Sequence, residues 1–270
     1  MRTLFADRYG HEKFLIGMVH TLALPGAPLY DRAAGMRRVV DQARAEARVL
    51  RDTGFHAILY CNESDMPYPQ VTPAETTAAM AALVAECRAD IDLPHGINML
   101  IDPIASLAVA NATGGGFIRC FLTGAYVGDL GHYVSDGARV LRTRADIGAE
   151  HIAIISNVTP GFSINLDTRP VPEAAKGAVF LGLADAVCVS GPAAGVEADL
   201  SEVRAVAEAV PETPVVVGTG VSADNIAGLA DVADAFIVGT SIKEEGKTLN
   251  PVDPRRARSV AATLAGAQAA

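Results

Sequence analysis

Apolar residues along this chain fall into short, nearly continuous runs separated by longer stretches with a helical repeat. Eight such runs follow in order: FLIGMV from Phe14, FHAILYC from Phe55, HGINML from His95, FIRCFL from Phe117, HIAIIS from His151, DAVCVS from Asp185, PVVVG from Pro214 and AFIVG from Ala235. Runs with little polar alternation are what parallel strands show when both faces are covered. The intervening segments are rich in Ala and Arg. The clearest helix runs from about Gly35 to Thr53, with Met36, Val39, Val40, Ala43, Ala47 and Leu50 on one face and Gly54 as its stop. Thr72-Pro73 predicts another helix with Pro at its first position, and Asp199 or Ser201 a cap for the helix before the seventh run.

Strand and helix alternate eight times with no composition break and no Gly/Ser-rich linker. That pattern predicts an α/β fold, a (β/α)8 TIM barrel, as one domain over residues 1–270. An open doubly wound sheet would carry a GxGxxG turn after its first strand; here the segment reads HTLALPGAP.

Composition narrows the partners. A formal net charge of −9 argues against nucleic acid, which needs a basic face, but allows a phosphorylated small ligand in one local pocket. No apolar run reaches the ~18–20 residues of a transmembrane segment, and Met1–Lys13, which holds Asp7 and Glu12, has no signal-like stretch. Cys61, Cys87, Cys120 and Cys188 show no CxxC spacing and read as buried reduced thiols, which points to a cytoplasmic protein. The Ala-rich outer helices suit either a homo-oligomer contact or ordinary barrel exterior.

The strongest local signal lies near the C-terminus. The seventh run leads into GTGVSADNI (218–226) and the eighth into GTSIKEEG (239–246). In barrels of this class the loops after strands seven and eight commonly bind phosphate. Gly218, Gly220 and Gly239 would let backbone amides approach an anion, Thr219, Thr240 and Ser241 would add hydroxyls, and Lys243 would add charge. Ser222 is placed to cap a following helix whose positive end would face the site. Three or four contacts of this kind amount to a weak anchor near the millimolar scale, about −4 kcal/mol.

Reactive groups in such a fold stand at the C-terminal ends of the strands. Those ends carry His20; then Asn62, Glu63 and Asp65; then Asn98 and Asp102; then Arg119, with Asp129 beyond it; then Asn157 and Ser190. His20, Glu63, Asp65 and Asp129 are the candidate acid/base groups, with Glu63 and Asp65 close enough in sequence to share a site. Asn98, Arg119 and Asn157 are candidate substrate contacts, since a polar side chain in an apolar strand needs partners. None of Lys13, Lys176, Lys243 and Lys247 lies in or just after the first seven strands, which disfavours Schiff-base chemistry. No cofactor motif and no resident metal site is expected.

The stretches IGMVHTLALPGAP (16–28), CNESDMPYP (61–69), GINML (96–100), FIRCFLTGAYVGDLG (117–131), GTGVSADNI and FIVGTSIKEEGKTLNPVD (236–253) resemble the BtpA/SgcQ family over nearly the whole chain. The resemblance implies a TIM barrel with a phosphate-binding look and an association with photosystem I biogenesis or sugar utilisation. Residue by residue, it matches His20, Asn98, Arg119, Asp129, Asn225, Lys243 and Asp253 to family positions. The chain departs from the family pattern at Ile101-Asp102-Pro103, at Phe121, and after the fifth strand, where Asn157 is followed by VTPGFS.

The reading that follows is an enzyme acting on a small phosphorylated, sugar-like compound by acid/base chemistry, of isomerase, epimerase or lyase type. The alternatives are a non-catalytic ligand-binding or membrane-complex biogenesis factor, and a divalent-metal hydrolase using Glu63, Asp65 and His20.

Overall fold

Each of the eight apolar runs forms a parallel strand. The computed structural model describes residues 4–269. In chain order the strands are β1 (Phe14–His20), β2 (Ala57–Cys61), β3 (His95–Asn98), β4 (Phe117–Cys120), β5 (Ala125–Gly128), β6 (Gly131–Val134), β7 (Ala153–Asn157), β8 (Ser163–Asn165), β9 (Ala186–Val189), β10 (Val215–Val217) and β11 (Ala235–Val238). Eight of them close a barrel in the order β1-β11-β10-β9-β7-β4-β3-β2, which is a TIM barrel. The other three, β5, β6 and β8, form a small antiparallel sheet in the order β6-β5-β8.

The helices are α1 (Leu4–Tyr9), α2 (Gly35–Asp52), α3 (Ala74–Arg88), α4 (Pro103–Thr113), α5 (Gly137–Asp146), α6 (Val171–Phe180), α7 (Leu200–Ala209), α8 (Ile226–Ala230) and α9 (Pro254–Ala269). Helix α2 buries Val39, Val40, Ala43, Ala47 and Leu50, the face its periodicity predicts. Asp199 caps α7 by accepting from the Ser201 amide. Pro73, expected inside α3, instead takes the extended cap position with ψ 149°.

Period-two alternation divides the strand side chains into two cores. Outward residues such as Leu15, Val19, Ile58, Tyr60, Ile97 and Ile118 pack against the helices. Inward residues Phe14, Ile16, Leu59, Phe117, Ile155, Cys188, Val216 and Ile237 fill the barrel. Gly96 makes room for the Phe117 ring, which would lie 2.2 Å from a Cβ at that position. Helix α1, not foreseen in the sequence, closes the N-terminal end: the Phe5 and Tyr9 rings stack on Phe14 at 5.1 and 4.7 Å.

Two local expectations fail. The helix after β10 begins at Ile226, not Ser222, and is five residues long with no side-chain cap; the Ser222 hydroxyl instead accepts from the Asp224 amide in a local turn. Helix α8 therefore does not offer the glycine loops the capped N-terminus expected of it. Lys243 is fully buried and bonded to Glu46, so it carries no charge into the mouth. Among the described residues, no helix is long and apolar enough to cross a membrane.

Candidate functional site

The same alternation that fills the barrel puts polar residues in its last inward layer. Continuing the inward series by two residues in every barrel strand except β2 gives His20, Asn98, Arg119, Asn157, Ser190, Gly218 and Gly239 at the C-terminal end. All of them line one cavity of about 400 Å³. Glu63 and Tyr68 from the loop after β2, and Thr248 from the chain after β11, complete that side.

His20 is held in one tautomer. Its Nδ1 lies 3.0 Å from the Thr248 carbonyl oxygen, which can only accept, so Nδ1 carries the hydrogen and the Nε2 lone pair is left free. Nε2 lies 3.9 Å from Oε2 of Glu63, too far for a hydrogen bond. Burial lowers the imidazole pKa from 6.5 to about 4; the Glu63 carboxylate opposes that effect and Lys243 adds to it. His20 is thus a neutral base at ordinary pH. The Cys61 thiol lies 3.4 Å from Glu63 Oε2 and donates to it. Burial pushes that thiol well above its usual pKa, so it remains a proton donor. The Asn98 side-chain amide stands behind it, 3.7 Å from the sulfur.

Arg119 supplies fixed positive charge on the cavity floor. Its Nε donates to Asn157 Oδ1 at 2.8 Å and its Nη2 to Ser190 Oγ at 2.9 Å. Thr159 locks Ser190 in turn, donating to its carbonyl at 2.9 Å and accepting from its amide at 2.6 Å. A side chain at 218 would place its Cβ 2.8 Å from Nη2 of Arg119, so that position requires glycine.

The two glycine loops lie on adjacent strands and are stitched together by the Ser241 hydroxyl, which donates to the Val221 carbonyl at 2.5 Å. That hydroxyl is therefore spent on the loops. The Thr219 hydroxyl oxygen accepts from the Gly191 amide, and the Thr240 hydroxyl meets that of Thr248 at 3.0 Å. The hydrogen bonds within the described residues leave the amides of Gly220, Gly239, Thr240 and Ser241 without an acceptor. Gly220 has φ +67°, and a Cβ there would meet the Glu197 backbone at 2.3 Å. The Asn225 side chain braces this loop by donating to the Gly220 carbonyl at 2.9 Å and accepting from the Ser222 amide at 2.9 Å.

Behind the loops, Lys243 Nζ lies 2.6 Å from Glu46 Oε2, and both side chains are buried. Burial lowers the lysine pKa and raises the carboxyl pKa, each against the pull of its partner. One turn earlier on α2, Gln42 donates to the His20 carbonyl at 3.1 Å. The second glycine loop and the backbone of His20 are therefore fastened to the same helix.

Two candidates do not join the site. Asp65 is buried with its carboxylate committed to the Leu24 amide at 2.7 Å and the Asn62 side chain at 3.0 Å. It fastens the loop after β1 and does not form an acid/base pair with Glu63. Asp129 is exposed at the turn between β5 and β6, off the cavity lining. Asp253 serves the scaffold: it accepts from the Arg255 amide at 2.7 Å, and its own amide donates to the Ile242 carbonyl at 2.8 Å. Sequence reasoning missed Cys61, Tyr68, Thr248 and Glu46. Only Cys61, at an inward strand end, had a period-two signal that marks it. Among the described residues, no group of three or more His, Cys, Asp or Glu side chains is arranged to hold a metal ion. The metal-hydrolase arrangement loses Asp65, the third ligand it needs. All four cysteines are buried and free.

The sequence profile of the BtpA family matches residues 11–266. The SgcQ protein of the sgc region of Escherichia coli (strain K12) is 38% identical over 247 residues, covering 92% of each chain. The photosystem I biogenesis protein BtpA of Synechocystis sp. is 32% identical over 246 residues, 90% of this chain and 84% of that one. Among solved structures, one described as native KDPGal aligns with a TM-score of 0.57 at 15% identity over 94% of both chains. Tryptophan synthase from M. tuberculosis, in its aminoacrylate-bound form, aligns with a TM-score of 0.55 at 19% identity over 96% of this chain and 95% of that one. At these identities the structural likenesses speak for the fold alone.

Proposed function

The chain belongs to the BtpA family, and from that premise and the site geometry we propose that it is an enzyme acting on a small phosphorylated, sugar-like compound by acid/base chemistry. The reaction type is isomerisation, epimerisation or elimination. The observation that carries this reading is that the acceptor-free amides of both glycine loops and the His20–Glu63 pair open onto one cavity.

In this reading the phosphate sits on the amides of Gly220, Thr240 and Ser241, a nest of converging N–H groups suited to an anion. Each charge-assisted bond contributes roughly 1.5–3 kcal/mol, which makes the phosphate a handle that aligns the rest of the molecule. Arg119, fixed by Asn157 and Ser190, faces a carbonyl or hydroxyl oxygen and stabilises negative charge as it develops there. The free Nε2 of His20 takes a proton from the neighbouring carbon. Glu63 serves the second proton transfer, its position supported by the Cys61 thiol. The 3.9 Å gap between the two groups leaves both free to bond to substrate. Among the described residues no lysine lines the cavity, so this mechanism uses no lysine nucleophile.

The test is a panel of aldose and ketose phosphates with inorganic phosphate. Thermal shift reads binding, and solvent-deuterium exchange into the bound sugar, followed by NMR, reads chemistry. Stabilisation by at least one phosphate ester is expected, with exchange that falls about 10²–10⁴-fold in His20→Gln and in Glu63→Gln. A panel that produces no stabilisation refutes the reading. Stabilisation without exchange favours a non-catalytic assembly factor, as the name of the Synechocystis relative suggests. The observation on that side is the apolar surface of the β5-β6-β8 sheet, where Val134 and Ile164 are 57% and 65% exposed.

A further inference from the structure

The cavity has two chemically different ends. Around the closed ring of strands, β4 lies four places from β11 in either direction, so the chain leaving β4 stands diametrically across the mouth from the loop carrying Thr240 and Ser241. The phosphate end presents amide hydrogens. The far end is built from Phe121, Leu100, Ile101, Leu130 and Tyr133, all of which line the cavity. The aromatic part of this wall is assembled in advance: the Phe121 ring centroid is 4.7 Å from that of Tyr126 and 6.0 Å from that of Tyr133. Tyr126 is buried beneath them, with its hydroxyl donating to the Thr123 carbonyl at 2.9 Å.

The cation on β4, Arg119, is tied to Asn157 and Ser190, and among the described residues no other Lys or Arg lines the cavity. The charged lining residue there is Asp102, whose carboxylate is occupied by the amides of Ile104 and Ala105 at 3.0 Å each and of Thr72 at 2.6 Å. A bare sugar phosphate would bond to the amides and to Arg119 and leave this wall wet. A flat aromatic ring would cover it, because aromatic faces prefer offset or edge contacts with other rings.

We propose that the ligand class is a sugar phosphate carrying a planar aromatic or heteroaromatic group at the end remote from its phosphate, seated against Phe121 and Tyr133. The inference rests on the phosphate reading of the glycine loops and narrows it. Between the two ends, Asn98, Asn157 and Ser190 face the sugar hydroxyls.

Calorimetric titration of the full chain with inorganic phosphate, ribose 5-phosphate and the four common ribonucleoside 5′-monophosphates tests it. Stacking on an aromatic side chain tolerates any base, so the panel reads the wall whatever the natural ring is. At least one nucleotide is expected to bind roughly tenfold tighter than ribose 5-phosphate. Phe121→Leu and Tyr133→Leu, which keep apolar bulk and remove the ring, are each expected to cut that advantage about tenfold while leaving ribose 5-phosphate binding unchanged. Retained ribose 5-phosphate binding also reports that a variant is folded, and if one variant loses it the other decides. Ribose 5-phosphate binding with no gain from any base, or a gain that both variants keep, overturns the ring inference and leaves the phosphate site standing. No binding of any phosphate compound overturns both.

Discussion

Replacing Lys243 by Met leaves the Glu46 carboxyl buried, 4% exposed, with its partner at 2.6 Å gone. Removing one member of a buried, hydrogen-bonded ion pair typically costs about 3–5 kcal/mol, because the survivor must stay charged without compensation or take up a proton. At roughly 2–4 °C per kcal/mol for a chain near this size, the melting temperature should fall by about 10 °C. The sign of its pH dependence follows from Glu46. Burial already raises that carboxyl's pKa, and Lys243 is the foremost of the groups pulling it back down, ahead of hydrogen bonds from Gln42 and the His20 backbone. Without the lysine the folded-state pKa rises further, so the variant folds best with Glu46 protonated and loses stability as pH rises through that pKa. The deficit relative to wild type should therefore be larger at pH 8 than at pH 5. In the double variant Lys243→Met/Glu46→Leu both charges are gone, and its stability should return to within about 1–2 kcal/mol of wild type or exceed it. Urea unfolding of the four proteins at the two pH values measures each of these differences. The reasoning is refuted if Lys243→Met costs under about 1 kcal/mol, or if the double variant costs the sum of the two single ones.

Two further outcomes are expected. His20, His56 and His95 have folded-state pKa values lowered from 6.5 to about 4, chiefly by burial. Between those values the unfolded chain binds protons that the fold does not, so stability is full above pH 6.5 and is lost as pH falls toward 4. His95→Gln keeps a donor for the Thr113 hydroxyl oxygen and should flatten that loss in urea midpoints measured across the window; an unchanged slope would count against it. Gly220→Ala forces a Cβ into the Glu197 backbone at φ +67°. It should cost about 1–3 kcal/mol and abolish the thermal shift with inorganic phosphate, whereas Gly228→Ala, on α8 with nothing within 4 Å of its Cβ, should keep the shift and gain roughly 0.5–1 kcal/mol.

Period two and the strand ends were enough to read the barrel and most of the floor of its mouth, because both depend on local pattern. A residue two places past an inward apolar side chain in a parallel strand must also face inward, and His20, Asn98, Arg119 and Asn157 obey that rule. The three-stranded sheet over the mouth escaped notice because β5, β6 and β8 are three to four residues long and half exposed, with little apolar alternation to mark them. Side-chain roles in the loops escaped for a different reason. Asp65 follows Glu63 by two residues, yet hydrogen bonds to Leu24 and Asn62 turn it into a clamp. Lys243 sits beside the glycine loop, yet a carboxylate 197 residues earlier draws it into the core. Loop composition announces which chemistry is present, but its direction is set by the long-range partner that offers the better bond. The glycine loops themselves are the exception. Their exposed polar groups are backbone amides, whose direction follows from φ and ψ, and the glycines themselves stand in the sequence even though the lack of room for a Cβ shows only in the fold. That is why the two glycine loops lining the cavity were legible in the sequence, whereas the aromatic wall across from them needed the fold.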